Sequence, residues 1–406
     1  MYEGAIKLSR NGDTMIVPVS VAVAAKVAQD AAGNITGALK FGGPAVAAAQ
    51  SGLPYNNGSV FGALDWTWRP EAGDWRFFYY DVPTTPPDGT KFLADRTWDD
   101  TAPFTDLDTL ILGRSANSYQ LFDDSDPFGA PYILDTVGKS QNTNIGAGVW
   151  AFDTATGGPR EVVTAPAQEG LHALLQHQVG WDGGRFDVPF SSTLGGATVT
   201  PTSVAQSTAA DTGSFDVTFK ASVDLDGLKA EGFGLSQPQS GPVTVRQDDP
   251  DDPSTASVKK NLTISYASRL HVATSLDQDI DLYVVYDADG DGQFTTDEIV
   301  ASSLTGTGDE SVDLIRPSDG NYQIWVHGFG VTGTPSAGLT IDAIQGTDLT
   351  VTGAPSGPLP AGTPVTLHVT YNKPMTAGQD YFGEILLGPT TAPTALTVPV
   401  KISRTA

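Results

Sequence analysis

The chain has 406 residues, with 45 glycines, 28 prolines and no cysteine. That length points to roughly two to four domains, and the missing thiols exclude disulfides, zinc–thiolate centres and cysteine nucleophiles. An excess of 47 Asp and Glu over 22 Lys and Arg excludes a basic stripe for nucleic acid and disfavours anionic membrane surfaces.

In chain order, Tyr2-Glu3-Gly4-Ala5-Ile6-Lys7-Leu8 and Val17-Pro18-Val19-Ser20-Val21 alternate at period two. They predict a hairpin with Ile6 and Leu8 on one face. A lone hairpin is marginal in water, so residues 1–25 are expected to be the closing hairpin of a truncated sandwich. Residues 22–32, rich in alanine, are the one candidate for a short helix. The aromatic run Trp66, Trp68, Trp75, Phe77, Phe78, Tyr79 and Tyr80 reads as sandwich core. Facing solvent, it would suit carbohydrate or peptide instead.

Next, Asp106-Leu107-Asp108 puts two carboxylates on one strand face. Glu169-Gly170-Leu171-His172 follows, with His177 five residues on and so pointing to the opposite side of a strand. These elements predict a first β-sandwich over 26–197, carrying an insertion at about 113–160. Phe215, Val217, Phe219, Ala221 and Val223 alternate with polar residues, giving immunoglobulin-like strands in 198–253. That segment ends in the stiff, acidic stretch Gln247–Pro253.

The most specific pattern lies in 279–300. Asp279-Ile280-Asp281-Leu282-Tyr283-Val284-Val285-Tyr286 reads as a strand, Ile299 and Val300 begin another, and twelve residues between them form a calcium-loop pattern. Carboxylates stand at positions 1, 3, 5 and 12 (Asp287, Asp289, Asp291, Glu298) and Gly292 at position 6, where the chain must turn around an ion. Gln293 would offer its carbonyl and Thr295 its hydroxyl or a water, while Asp297 is a bystander. Without helical periodicity on either side, the loop reads as a Ca2+ clamp inside a β-sandwich spanning 254–345. Residues 346–406 close the chain with alternating strands. Among them, Tyr381-Phe382-Gly383-Glu384-Ile385-Leu386-Leu387 and Val398-Pro399-Val400-Lys401-Ile402 repeat the N-terminal hairpin.

Two modules therefore repeat. Thr105–Leu112 parallels Gln278–Val285, and Glu169–Gly180 parallels Asp319–Gly330. The segment Asp279–Tyr283, the calcium loop, Pro317-Ser318-Asp319-Gly320-Asn321-Tyr322 and Val326-His327-Gly328 resemble a pre-peptidase C-terminal domain. The segments Leu134–Ser140, Gly157–Val163 and Glu169–His172 resemble the tail of large secreted subtilisin-like proteases of the minor extracellular protease type. The Tyr-x-Gly-x-Ile and Val-Pro-Val hairpins resemble fibronectin-III-like domains that follow the catalytic domain there. The resemblance implies an all-β tandem array of β-sandwich domains, with 346–406 fibronectin-III-like and no protease chemistry in this region.

The residues agree on the last point. Of the aspartate, histidine and serine segments that build a triad, only Asp211-Thr212-Gly213 is present. The expectation is a non-enzymatic, extracellular or cell-surface region of a secreted serine protease. A protein or cell-surface partner is expected, with self-association through the N-terminal hairpin as one route, and neither nucleic acid nor membrane insertion. The alternatives are a structural protein assembling by strand complementation and a carbohydrate-binding module.

Overall fold

The structure is a computed structural model that describes residues 2–10, 13–21, 24–42, 75–98, 106–113, 136–139, 160–179 and 190–406. Its described residues are all-β, apart from single 3-10 turns at Pro253–Thr255 and Thr296–Glu298. The first two strands, β1 (Tyr2–Arg10) and β2 (Asp13–Val21), form a two-stranded sheet by themselves.

A first sandwich follows, built from β3 (Ala25–Lys26), β4 (Leu39–Gly42), β5 (Trp75–Val82), β6 (Lys91–Trp98), β7 (Asp106–Leu112), β8 (Thr136–Lys139), β9 (Arg160–Pro166), β10 (Gly170–Val179) and β11 (Phe190–Thr200). One sheet runs β3-β5-β10-β7-β8; the facing one contains β11-β6-β9, with β4 also on β11. Phe41, Phe78, Tyr80, Phe92, Ile111, Leu174 and Phe190 fill the space between them. Their alternation along each strand is what dictates two packed layers. Residues 24–32 are not helical. Ala25 and Lys26 pair in parallel with Tyr80 and Asp81, and Val27 donates its N–H to Asp81 O, so β5 takes the backbone groups a helix would use internally.

Beyond β11 come β12 (Val204–Thr208), β13 (Thr212–Ala221) and β14 (Leu228–Ser236). The next eight strands form a separate sandwich: β15 (Gln239–Thr244), β16 (Val258–Ile264), β17 (Ala267–Ser275), β18 (Asp279–Tyr286), β19 (Ile299–Ser303), β20 (Ser311–Ile315), β21 (Gly320–Gly330) and β22 (Ser336–Gln345). Its sheets are β15-β22-β17-β20 and β16-β21-β18-β19. The chain then returns as β23 (Leu349–Thr352), β24 (Val365–Asn372), β25 (Asp380–Pro389) and β26 (Leu396–Arg404).

These last four strands do not fold as a domain apart. β24 pairs with β13 from Phe219↔Val365 to Thr212↔Asn372, β25 pairs with β14, and β26 runs parallel to β12. Val217, Phe219, Leu228, Leu367, Val369, Ile385, Val398 and Val400 share one core. The expected units 198–253 and 346–406 are thus two halves of a single host sandwich. The expected module of 254–345 begins earlier, at β15, and is inserted between the halves. The physical reason is edge satisfaction: β12–β14 alone leave an apolar face and open edges that only the returning strands cover.

The two chain crossings run side by side. Gly234 N–H donates to Gly346 O, and Asp348 N–H donates to Gly234 O. Gly234 has φ +100°, and a Cβ there would lie 2.6 Å from Phe382 O, so only glycine fits. Beside it Phe233 is fully buried against Ile344, Leu386 and Phe382. Tyr266 stacks on its ring at 4.7 Å and the Arg316 guanidinium lies over it, also at 4.7 Å. Arg316 reaches Glu231 at 3.0 Å, and Glu384 accepts from Ser268 Oγ at 2.7 Å. Tyr266 and Arg316 are the non-glycine residues with positive φ among those described, 49° and 52°. Both face Phe233, so the contact holds two backbones in the sparsely populated left-handed region.

Phe233→Ala removes the ring on which both modules meet. A loss of about 3 kcal/mol is expected, with separate melting of module and host in place of coupled melting. Thermal unfolding followed by far-UV circular dichroism, beside the fluorescence of Trp325 in the module, checks this, and an unchanged midpoint would refute the role given to Phe233.

Candidate metal centre

The loop between β18 and β19 is anchored before it turns. Tyr283 and Val285 on β18, Trp325 on β21, Phe294 from the loop and Ile299 at the start of β19 pack into a cluster on the outer face of the sheet. Lys259 Nζ sits 4.4 Å from the Trp325 ring centre, covering the cluster's edge. Phe294 thus pins the loop at its eighth position, and the chain turns ahead of it through Gly290 and Gly292, at φ +75° and +77°.

Within that turn, carboxylate oxygens of Asp287, Asp289 and Asp291 all lie within 4.8 Å of one another. Asp287 is only 7 % exposed. Its oxygens accept from Gly292 N–H at 3.2 and 3.4 Å. Asp289 accepts from Asp291 N–H at 3.0 Å, and Asp291 accepts from Gln293 N–H at 2.7 Å. Two like charges at about 4 Å repel by roughly 1 kcal/mol in water and about 4 kcal/mol near a protein surface. A divalent cation would offset that repulsion. An all-oxygen donor set suits a hard cation over a transition metal, so the residues present fit a metal ion.

Of the six residues expected as ligands, the structure brings the three aspartates together. Gln293 turns its side-chain amide to Asp291 Oδ2, at 3.1 Å. Glu298 lies across the loop: Oε1 accepts from Ala288 N–H at 3.0 Å, and Oε2 from Thr295 N–H at 2.9 Å and Thr295 Oγ at 3.2 Å. The Thr295 N–H holds the Glu298 carboxyl below the usual glutamate range. Glu298 and Thr295 therefore lock the loop's exit to each other, outside the aspartate trio.

The other sequence candidates take structural places. Asp281 is buried, with Tyr283 Oη 3.4 Å and His327 Nδ1 3.6 Å from its Oδ2. His327 Nε2 meets Asp249 O at 2.9 Å, tying the acidic linker to β21. In the first sandwich Asp108 stands opposite His177 just as Asp281 stands opposite His327. The repeat thus has the same Asp–His register twice, a pairing visible in sequence only once the two strands are aligned. His172 Nε2 lies 2.9 Å from Gln168 O, and Tyr322 Oη donates to Ser318 O at 2.9 Å. Both are side chains reaching four residues back over a glycine of positive φ, Gly170 and Gly320, as in a tyrosine corner.

Asp211 accepts from Met375 N–H at 3.2 Å and pairs with Arg404 at 3.3 Å, securing a turn. Phe78, Tyr79 and Tyr80 are buried. Trp66 and Trp68 lie outside the described residues, as do the side chains of Trp75, Phe77, Asp106, Asp108 and His177. No described helix is long and apolar enough to cross a membrane.

No family model matches the sequence, and no curated protein matches it. Among solved structures, tripeptidyl peptidase 2 is similar at TM-score 0.33 and 11 % identity over 96 % of this chain and 31 % of its own. The M60 catalytic domain with two CBM51 domains from Clostridium perfringens ZmpB gives 0.19 and 9 %, over 84 % of this chain and 41 % of its own. The Sulfolobus turreted icosahedral virus gives 0.17 and 10 %, over 75 % of this chain and 58 % of its own. The chain thus spans under a third of the peptidase's length, and similarity this low carries no functional argument.

Burial holds the Asp281 carboxyl above the ordinary aspartate value, with Asp279 and Glu310 adding to the rise and His327 opposing it. A carboxyl whose value is raised on folding favours the folded state most when protonated. That contribution is complete below the unfolded value of about 3.9 and is lost as pH climbs through the folded one. Asp281→Asn is expected to flatten the loss of stability between pH 4 and neutrality. Urea midpoints across that range check it; an unaltered slope would show that Asp281 titrates as a free aspartate.

Proposed function

We propose that the chain is a non-catalytic, Ca2+-stabilised accessory region of a secreted subtilisin-like serine protease. In this reading it stabilises the enzyme or holds it near a substrate or surface. The observation that carries the metal reading is the convergence of Asp287, Asp289 and Asp291 within 4.8 Å. They occupy positions 1, 3 and 5 of a loop turned by Gly292. Glu298 would complete the set by leaving Ala288 and Thr295 to chelate with both oxygens, and Gln293 O and Thr295 would fill the remaining positions. Such a rearrangement has a cost, which suits the millimolar Ca2+ outside cells, where extracellular modules bind at 10⁻⁴–10⁻³ M. The accessory role is supported by the motif resemblance and by Asp211, the one triad-like fragment, being engaged in a turn.

Calcium at ten times its dissociation constant should add about 1.4 kcal/mol to the module's stability. Chelator is expected to lower its melting temperature and Asp287→Ala to remove the sensitivity; an unchanged melt in chelator refutes the site. The accessory reading makes a separate prediction. The chain should release no peptide from casein, and turnover abolished by a serine-directed phosphonate would overturn it.

A further inference from the structure

The N-terminal hairpin is a second copy of β25–β26, and the chain contains its own template for what such a hairpin needs. Tyr2↔Val21, Gly4↔Val19, Ala5↔Pro18 and Ile6↔Val17 pair in the same register as Tyr381↔Ile402, Gly383↔Val400, Glu384↔Pro399 and Ile385↔Val398. In the C-terminal copy Ile385, Leu387 and Val398 are completely buried against the β13–β24 layer. Their counterparts Ile6 and Leu8 are 53 % and 52 % exposed, with Met15 at 63 % and Val17 also open. The template hairpin is flanked on both edges as well, by β14 antiparallel to β25 and β12 parallel to β26.

The opposite face differs between the copies in an informative way. On β25 it carries Phe382, Glu384 and Leu386, which meet Phe233 and Ser268 where the inserted module docks. The aligned residues on β1 are Glu3, Ala5 and Lys7, while β2 adds Ile16, 65 % exposed, beside Lys7. Two rival occupants fail on these grounds. Two hairpins from two copies, face to face, bury a few hundred Å2 on each, below the ~800 Å2 per partner of a stable interface. Exchange of β1–β2 into a second copy's host would set Glu3 and Lys7 against Phe233.

We propose that β1–β2 is a docking hairpin for an incomplete β-sandwich of the host type, carried by polypeptide outside these 406 residues. Its occupant presents an apolar sheet to Ile6, Leu8, Met15 and Val17. It adds an antiparallel edge strand to β1 and a parallel one to β2. This surface is independent of the calcium loop.

Hydrogen exchange and sedimentation on the full chain test the proposal. The chain should sediment as a monomer, with amides of β1 and β2 exchanging at least ~100-fold faster than their register partners in β25 and β26. The triple variant Phe382→Glu, Glu384→Ala, Leu386→Lys gives 381–387 the residues of 2–8. It should keep β13 and β24 protected while the module near Tyr266 and Gly346 exchanges faster. Ile385→Asp, which spoils the shared inner face, should lose protection in β13 and β24. The proposal is overturned by slow exchange of 2–21 in a monomer, since the chain then covers its own hairpin. A dimer dissolved by Ile6→Asp, meaning a second copy is the occupant, overturns it too. So does a triple variant that loses β13 and β24 protection as Ile385→Asp does.

Discussion

The host sandwich is finished by strands that arrive only after residues 237–348 have gone elsewhere. Until β23–β26 return, β13 lacks its partner β24 and β14 lacks β25. Closing a flexible loop of that length costs on the order of 4 kcal/mol in chain entropy. The inserted module removes most of that penalty by folding. β15 and β22 are antiparallel neighbours, pairing Gln239 with Ile341 and Thr244 with Ser336, so the module delivers both of its ends to one edge. The hydrogen bonds between Gly234, Gly346 and Asp348 then join the two crossings. The Phe233 contact fixes the module against the sheet it interrupts.

Charge follows a consistent division of labour. Acidic groups in the core are matched: Arg96 meets Glu161 at 2.8 Å with both side chains buried, and Asp281 faces His327. Between the modules, Glu231 and Glu384 face Arg316 and Ser268. The calcium-type loop departs from this pattern. Its three aspartates are matched among the described residues chiefly by main-chain N–H groups, which makes it the place where added positive charge would gain most.

Much of this was legible in the residues. Period-two alternation set the all-β architecture, because each strand had one face to bury. The loop was readable because aspartates spaced by two around paired glycines follow a pattern that no core packing requires, and the structure brings their three carboxylates together. The repeat of Asp108 and His177 in Asp281 and His327 was visible as a resemblance of segments. The discontinuous host was not. Phe215↔Val369 and Val204↔Val400 are pairings across more than a hundred residues, and alternation says which face a residue takes but not which strand lies beside it. Glu298 is a place where one position admits two uses: position 12 suits a chelator, and in this structure the same carboxylate accepts the N–H groups of Ala288 and Thr295. The alanines at 24–32 suggest helix by propensity, and pairing with β5 overrode them.

One strand belongs to two sandwiches. Phe190 to Ala197 of β11 lie beside β6, and Ala197 to Thr200 lie beside β13, with no linker between. Gly195 and Gly196 sit at the changeover, where added Cβ atoms would strike Ser222 and Ile35, so the neighbouring segments close in on the backbone itself. Under tension applied along the chain, load entering the first sandwich would pass into the host as shear across these ladders. It would not be absorbed by a slack tether. The two would stretch as one elastic body.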